Sequence, residues 1–239
     1  MKTTLFIIIV LISGCFAGLI HGGLNLVLVE PYLDQAIGIE NQTLFATGEE
    51  EDTTSFWVEY NSYRTWQKGG QVLAGAILGT SIAALVGIVF LFVRKSLPEG
   101  NNVKKMLILS GLMWFTIFVI PFLKYPANPP TVGDAETVVM RGILFLSFIA
   151  ISGLGAIAFY QVYKKIQNKK FLAFVGYATF ISVAFFLLPG NPDEITAPME
   201  LVEGFRGASF VAVSVYWLTL ALILGGFVEK LQERLNLKR

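Results

Sequence analysis

The chain has 239 residues, 54% of them hydrophobic and 15% charged. Soluble domains carry about 25% charged residues, so this composition and a mean hydropathy of +0.64 exclude a soluble globular protein. A net charge of +1 points to no particular partner, and a single cysteine excludes an internal disulfide.

A membrane-crossing helix needs about 20 mostly apolar residues. Six stretches qualify or nearly so: 4–29, 71–93, 106–123, 141–162, 171–188 and 207–227. The expected fold class is therefore all-α, a single polytopic membrane domain over 1–239 with about six transmembrane helices. Lys2 ahead of an apolar run resembles a secretory signal, and Leu11-Ile12-Ser13-Gly14-Cys15 resembles a lipoprotein processing site. The run continues to Val29, however, whereas a signal core spans about 7–15 residues. A retained first helix is the expectation.

Within the first run sits the one histidine of the chain, His21, and at its far end come Glu30 and Pro31. Residues 30–70 then read as an extracytoplasmic loop with eight acidic residues up to Lys68, four of them consecutive at 49–52, against Arg64 and Lys68. Phe56, Trp57, Tyr60, Tyr63 and Trp66 recur at roughly helical spacing, as in an interfacial helix with rings at headgroup depth. The competing reading is an aromatic loop folded on the helix ends. The acidic run either concentrates cations at a pore mouth or is merely solvated. Asn41-Gln42-Thr43 is a sequon in this segment, a weak signal alone.

Basic residues alternate between connections. Arg94, Lys95, Lys104 and Lys105 follow the second run, Lys164, Lys165, Lys169 and Lys170 the fourth, and Lys230, Arg234, Lys238 and Arg239 the sixth. By the positive-inside bias both termini are expected in the cytoplasm of a multi-pass cell-membrane protein, with 228–239 as a basic cytoplasmic tail.

The outer connections repeat. Tyr125-Pro126-Ala127-Asn128-Pro129 precedes Arg141-Gly142, and Leu188-Pro189-Gly190-Asn191-Pro192 precedes Arg206-Gly207. Glu30-Pro31 with Lys68-Gly69-Gly70 is a fainter third copy. Proline ends a helix, the basic residue reaches the headgroups, and glycine lets the next helix pack closely. The pattern reads as three outward-opening helical hairpins, or simply as turn residues marking turns. Gly14, Gly18 and Gly22 form a ladder on the first helix, and Gly75, Gly79, Ala83 and Gly87 another on the second. Small residues four apart let helix backbones approach.

No GxxxxGK[ST], GxGxxG, CxxC or HExxH occurs, so ATP hydrolysis, dinucleotide binding and zinc-protease chemistry have no support. With no acid–base pair in a helix centre, no enzyme and no catalytic residue is expected. No resident cofactor is expected either. Transition metals want several N, O or S ligands, and the chain offers His21, Glu30 and Asp34, with Cys15 and Met113 as further candidates. Nine residues separate His21 from Glu30, about 13 Å along a straight helix and on opposite faces, so the two cannot hold one ion together. A relay fits better, with Glu30 capturing a cation at the outer boundary and His21 meeting it deeper. Ionisable groups inside spans are functional candidates. The plainer alternative is a neutral imidazole bonded to Asn25 or to a neighbouring carbonyl, with Glu30 as an interface charge.

The opening helix with His21, the Val29-Glu30-Pro31 exit, the Trp114 to Pro121 stretch entering a Pro-rich loop, and the closing Pro-containing loop with Ser209 to Trp217 resemble the CbtA family of predicted cobalt transporter subunits. The resemblance covers most of the chain except 42–56, which looks like an insertion. It implies a polytopic subunit linked to cobalamin supply and a small single-helix partner, CbtB, with a histidine-rich end. Only His21 and Glu30 match as candidate metal residues. The resulting expectation is a permease subunit taking up a divalent cation, most simply cobalt, without its own ATPase. The alternative is a non-transporting subunit that scaffolds a membrane complex.

Overall fold

The computed structural model describes residues 3–130, 132–166 and 169–236; Lys2, Lys238 and Arg239 of the charge pattern lie outside them. Among the described residues the chain is all-helical. Five helices are long and apolar enough to cross a membrane, and a shorter apolar helix, Phe171–Leu187, makes a sixth. The chain is a multi-pass membrane protein. It divides into two compact units, 1–111 with 200–239, and 112–199.

In the first unit, α1 (Thr3–Leu24) passes through a π-turn (Asn25–Val29) into α2 (Glu30–Thr47), and α3 (Thr54–Val93) returns antiparallel. The segment expected to be a loop is thus a helical hairpin in line with the membrane helices. A 40-residue helix is about 60 Å long, twice the ~30 Å hydrocarbon layer, so the hairpin projects well beyond the bilayer core. Residues 54–67, where an interfacial helix was one expectation, form the first part of α3. Sequence reading placed a break at Pro31 because proline ordinarily clashes with the carbonyl four residues back. Here the wider turn takes up the clash, and Glu30 N–H bonds the Asn25 carbonyl five residues earlier, a known use of π-bulges.

The tip of the hairpin is closed by local chemistry. Gly48 takes a left-handed φ of 76° and ends α2, a conformation that favours glycine. Thr53 caps α3, its hydroxyl accepting from Phe56 N–H at 3.3 Å. Asp52 accepts from the Trp57 indole at 2.7 Å, which gives one member of the acidic run a structural role. Phe45 packs edge-on against Phe56 and Trp57 at 5.0 and 5.9 Å. The sequon's Asn41 is buried on α2, 7% exposed, and so is closed to a glycan in this fold.

Glycines set the distance between α1 and α3. A Cβ on Gly14 would lie 2.7 Å from the Gly79 carbonyl oxygen, one on Gly75 2.7 Å from that of Gly18, and one on Gly22 2.7 Å from Val72 Cα. The two ladders therefore face each other with backbone on backbone.

Helix α8 (Met199–Asn236) packs antiparallel to α1, bringing Gly204 against the Tyr32 ring. At the opposite end, Glu229 of α8 caps α4 (Asn102–Trp114). Its Oε2 accepts from the Asn102 backbone N–H at 2.6 Å and from the Asn102 amide at 2.7 Å. A carboxylate there satisfies an orphan donor and meets the positive end of the helix dipole. Residues 228–236, expected as a tail, continue the helix. Glu229→Ala is expected to cost about 1 kcal/mol, the usual worth of a lost cap, read as a lower thermal midpoint of purified protein, with Glu229→Gln intermediate.

The second unit holds a matching device. α4 runs through a π-turn (Phe115–Val119) into α5 (Ile120–Lys124), and Ile120 N–H bonds the Phe115 carbonyl just ahead of Pro121. Both turns are five residues, one spacer, then proline. α6 (Val138–Lys165) returns antiparallel, and α7 (Phe171–Leu187) packs on it. Ser152 of α6 donates to the Thr116 carbonyl at 2.5 Å and shares a 2.8 Å hydrogen bond with Tyr177 of α7. Helices do end before Pro126 and Pro189, where Tyr125 and Leu188 leave helical geometry. The third expected pair, α7 with α8, falls across the two units.

Candidate functional site

The one histidine lies where three helices of the first unit meet. His21 Nδ1 is 3.2 Å from the Ala212 carbonyl of α8, so that nitrogen carries the proton and donates. Nε2 then keeps its lone pair, which faces the Asn25 amide one turn along α1 at a long 3.4 Å. The imidazole leans on the Tyr216 ring at 5.7 Å, and the buried Tyr216 hydroxyl donates to the Gly79 carbonyl of α3 at 2.9 Å. The arrangement holds a neutral imidazole with one basic nitrogen masked by a long bond from Asn25. These are the contacts of the plainer sequence reading, and Nε2 is the nitrogen that keeps a lone pair.

Glu30 sits on α2 just past the π-turn and is 7% exposed. Its Oε1 is ion-paired with Arg64 Nη2 and lies 3.8 Å from Lys68 Nζ, while Oε2 accepts from Gln71 at 2.9 Å. Arg64 also binds Asp34 at 2.7 Å, and Lys68 binds Asp34 at 2.9 Å. The register explains the cluster. Glu30 and Asp34 are one turn apart on one helix, Arg64 and Lys68 one turn apart on the antiparallel partner, so four charges interleave. Two carboxylates and two cations cancel. Arg64, 6% exposed, is the pivot.

No contact among the described residues joins His21 to Glu30, and none of them gather into groups of three or more His, Cys, Asp or Glu able to hold a metal ion. Cys15 is half-buried and reduced, and Met113 is buried. Between His21 and Glu30 lies the π-turn, whose carbonyls no sequence motif announces.

The repeated outer residues do structural work in the second unit. Arg141 pairs with the largely buried Asp193 at 2.9 Å and donates to the Val132 and Asp134 carbonyls. Thr137 donates to Asp193 at 2.8 Å. Asn191 accepts from Asp193 N–H at 3.3 Å, a local turn bond, and Pro129 is fully buried. Lys124 donates to the Leu188 carbonyl at 3.0 Å and Tyr125 to that of Pro189 at 2.6 Å. Burial pushes the Tyr125 phenol above its ordinary pKa, so it stays a donor. The loops after α5 and α7 are thereby laced together. Arg206 stands in the third turn of α8.

Sequence reading missed Arg64, Lys68 and Gln71 as partners of Glu30, and Tyr216 as the wall beside His21. The paired i, i+4 spacing of acids at 30 and 34 and bases at 64 and 68 was a usable signal. Tyr216 had none, since an aromatic in an apolar helix is ordinary.

A family model described as probable cobalt transporter subunit (CbtA) matches residues 3–229. The chain belongs to this family. No curated protein and no solved structure matches it.

Proposed function

As a member of the CbtA family the chain is, we propose, a permease subunit that admits a divalent cation, cobalt by the family's description, with no ATPase of its own. The observation that carries the reading is the position of the single histidine inside the α1–α3–α8 core, with a neutral ring and a weakly masked Nε2. Imidazole nitrogen is a good ligand for late divalent metals. One protein ligand with water completing the shell binds weakly enough to release, as conduction requires. Glu30 and Asp34 form the outer station, where an arriving cation competes with Lys68 and Arg64 for the carboxylates. Both termini face the cytoplasm of the cell membrane, and the energy comes from the ion gradient or from a partner. A small single-helix, histidine-containing subunit of the CbtB type supplies the ligands this chain lacks.

A second reading, a non-transporting scaffold subunit, draws on the full neutralisation of Glu30 by its neighbours. Cobalt accumulation in cells expressing the chain, with and without the partner, separates the two. Permeation predicts that His21→Ala lowers accumulation by about tenfold or more, the usual scale for lost metal-site groups, at equal protein level. Accumulation that ignores both the chain and His21→Ala leaves the scaffold reading.

A further inference from the structure

The relay has a gap. About 13 Å of helix separates residues 21 and 30, and Asn25 is the one polar side chain between them. The π-turn occupies that gap. Pro31 has no N–H to offer the carbonyls four and five residues back, Val27 and Leu26, and Glu30 N–H is already spent on Asn25. Among the described residues no side chain donates to either carbonyl.

The molecule contains its own control. In the second π-turn Pro121 denies a donor to the equivalent carbonyl, Thr116, also five residues back. There the fold supplies one, Ser152 Oγ at 2.5 Å, itself bonded to Tyr177 at 2.8 Å. A peptide oxygen without a partner in an apolar layer is costly, and the second unit fills it with a buried serine. The first unit makes the same vacancy and brings no hydroxyl to it. It places the vacancy directly after Asn25, five residues beyond His21 and four before Glu30.

We propose that the Leu26 carbonyl of the first π-turn forms a coordination station for a partly hydrated divalent cation, between the Glu30 cluster and His21. This rests on the permeation reading above. Broken helices in transporters expose carbonyls to ions in the same way. Oxygen ligands without charge bind a hydrated cation loosely, which suits transit. The cation would pass from carboxylate to carbonyl to imidazole, shedding and regaining water, with no covalent step.

The test compares initial cobalt entry into liposomes holding the purified full chain, Pro31→Ala or Pro121→Ala. Alanine returns an N–H and lets the helical ladder close on Leu26. Pro31→Ala is expected to slow entry by about tenfold, as for loss of a supporting ligand, and Pro121→Ala by no more than about twofold, since Ser152 already serves its carbonyl. Entry at the wild-type rate in Pro31→Ala, or equal losses in both variants, overturns the station and leaves permeation standing. Wild-type liposomes no faster than empty ones overturn both. Should Pro31→Ala fail to fold, the wild-type chain decides. Cobalt(II) is paramagnetic, and added to isotope-labelled protein it should shift backbone amide resonances most over 25–30. Shifts largest elsewhere overturn the proposal.

Discussion

Gly18→Ala is expected to destabilise the protein by about 3 kcal/mol, the upper end for overpacking, although it adds one methyl group. The added carbon would meet the Gly75 carbonyl and lie 2.9 Å from Ala76 Cα. Neither is the far end of a side chain that can swing away. α1 and α3 would have to separate, and Gly14 and Gly22 would lose their contacts with Gly79 and Val72 in the same movement. Dispersion falls steeply with such a gap, and in a lipid-facing bundle packing is the main force between helices. Gly23→Ala, next to the ladder but with nothing within 4 Å of its added carbon, should be neutral or stabilising by up to about 1 kcal/mol, since alanine is the better helix former. Thermal unfolding of the two purified variants checks this. Equal midpoints would mean that the ladder does not set the helix spacing.

Arg64→Met should cost about 3–5 kcal/mol, the range for breaking a buried ion pair from one side. Glu30 would remain buried with Gln71 and a Lys68 ammonium 3.8 Å away, and Asp34 would lose one of its two cations. The double variant Arg64→Met with Glu30→Gln should recover much of the loss, because no uncompensated charge stays behind. If the double variant is as unstable as the single one, the arginine matters for packing rather than for charge. Asp34 is 43% exposed at its side chain, so Asp34→Asn should matter far less, within about 1 kcal/mol for a solvent-screened pair.

The membrane class and the number of apolar helices were legible in the sequence, because run length and composition decide them directly. The glycine ladders were legible too, since spacing by four puts small residues on one stripe whatever the partner. The course of residues 30–68 was not. Proline, charge and a polar composition all read as loop, and what overrides them is tertiary. Glu30 and Asp34 find Arg64 and Lys68 on a returning helix, and a π-turn absorbs the proline. At Pro126 and Pro189 no such turn precedes the proline, and the helices end as local rules require. Of the candidate site, His21 announced itself by rarity. Its environment depends on Ala212 and Tyr216, almost two hundred residues away, which no local pattern ties to it. The likeness of Val119-Ile120-Pro121 to Val29-Glu30-Pro31 gains meaning only from the two π-turns and from Ser152 lying across from Thr116.

The most direct measurement is the initial rate of cobalt entry into liposomes containing the purified chain, with and without the small histidine-containing partner, compared with His21→Ala at equal reconstituted amount. Permeation through the α1–α3–α8 core predicts entry well above that of empty liposomes, reduced by about tenfold or more in His21→Ala. Equal entry in the two proteins would contradict it.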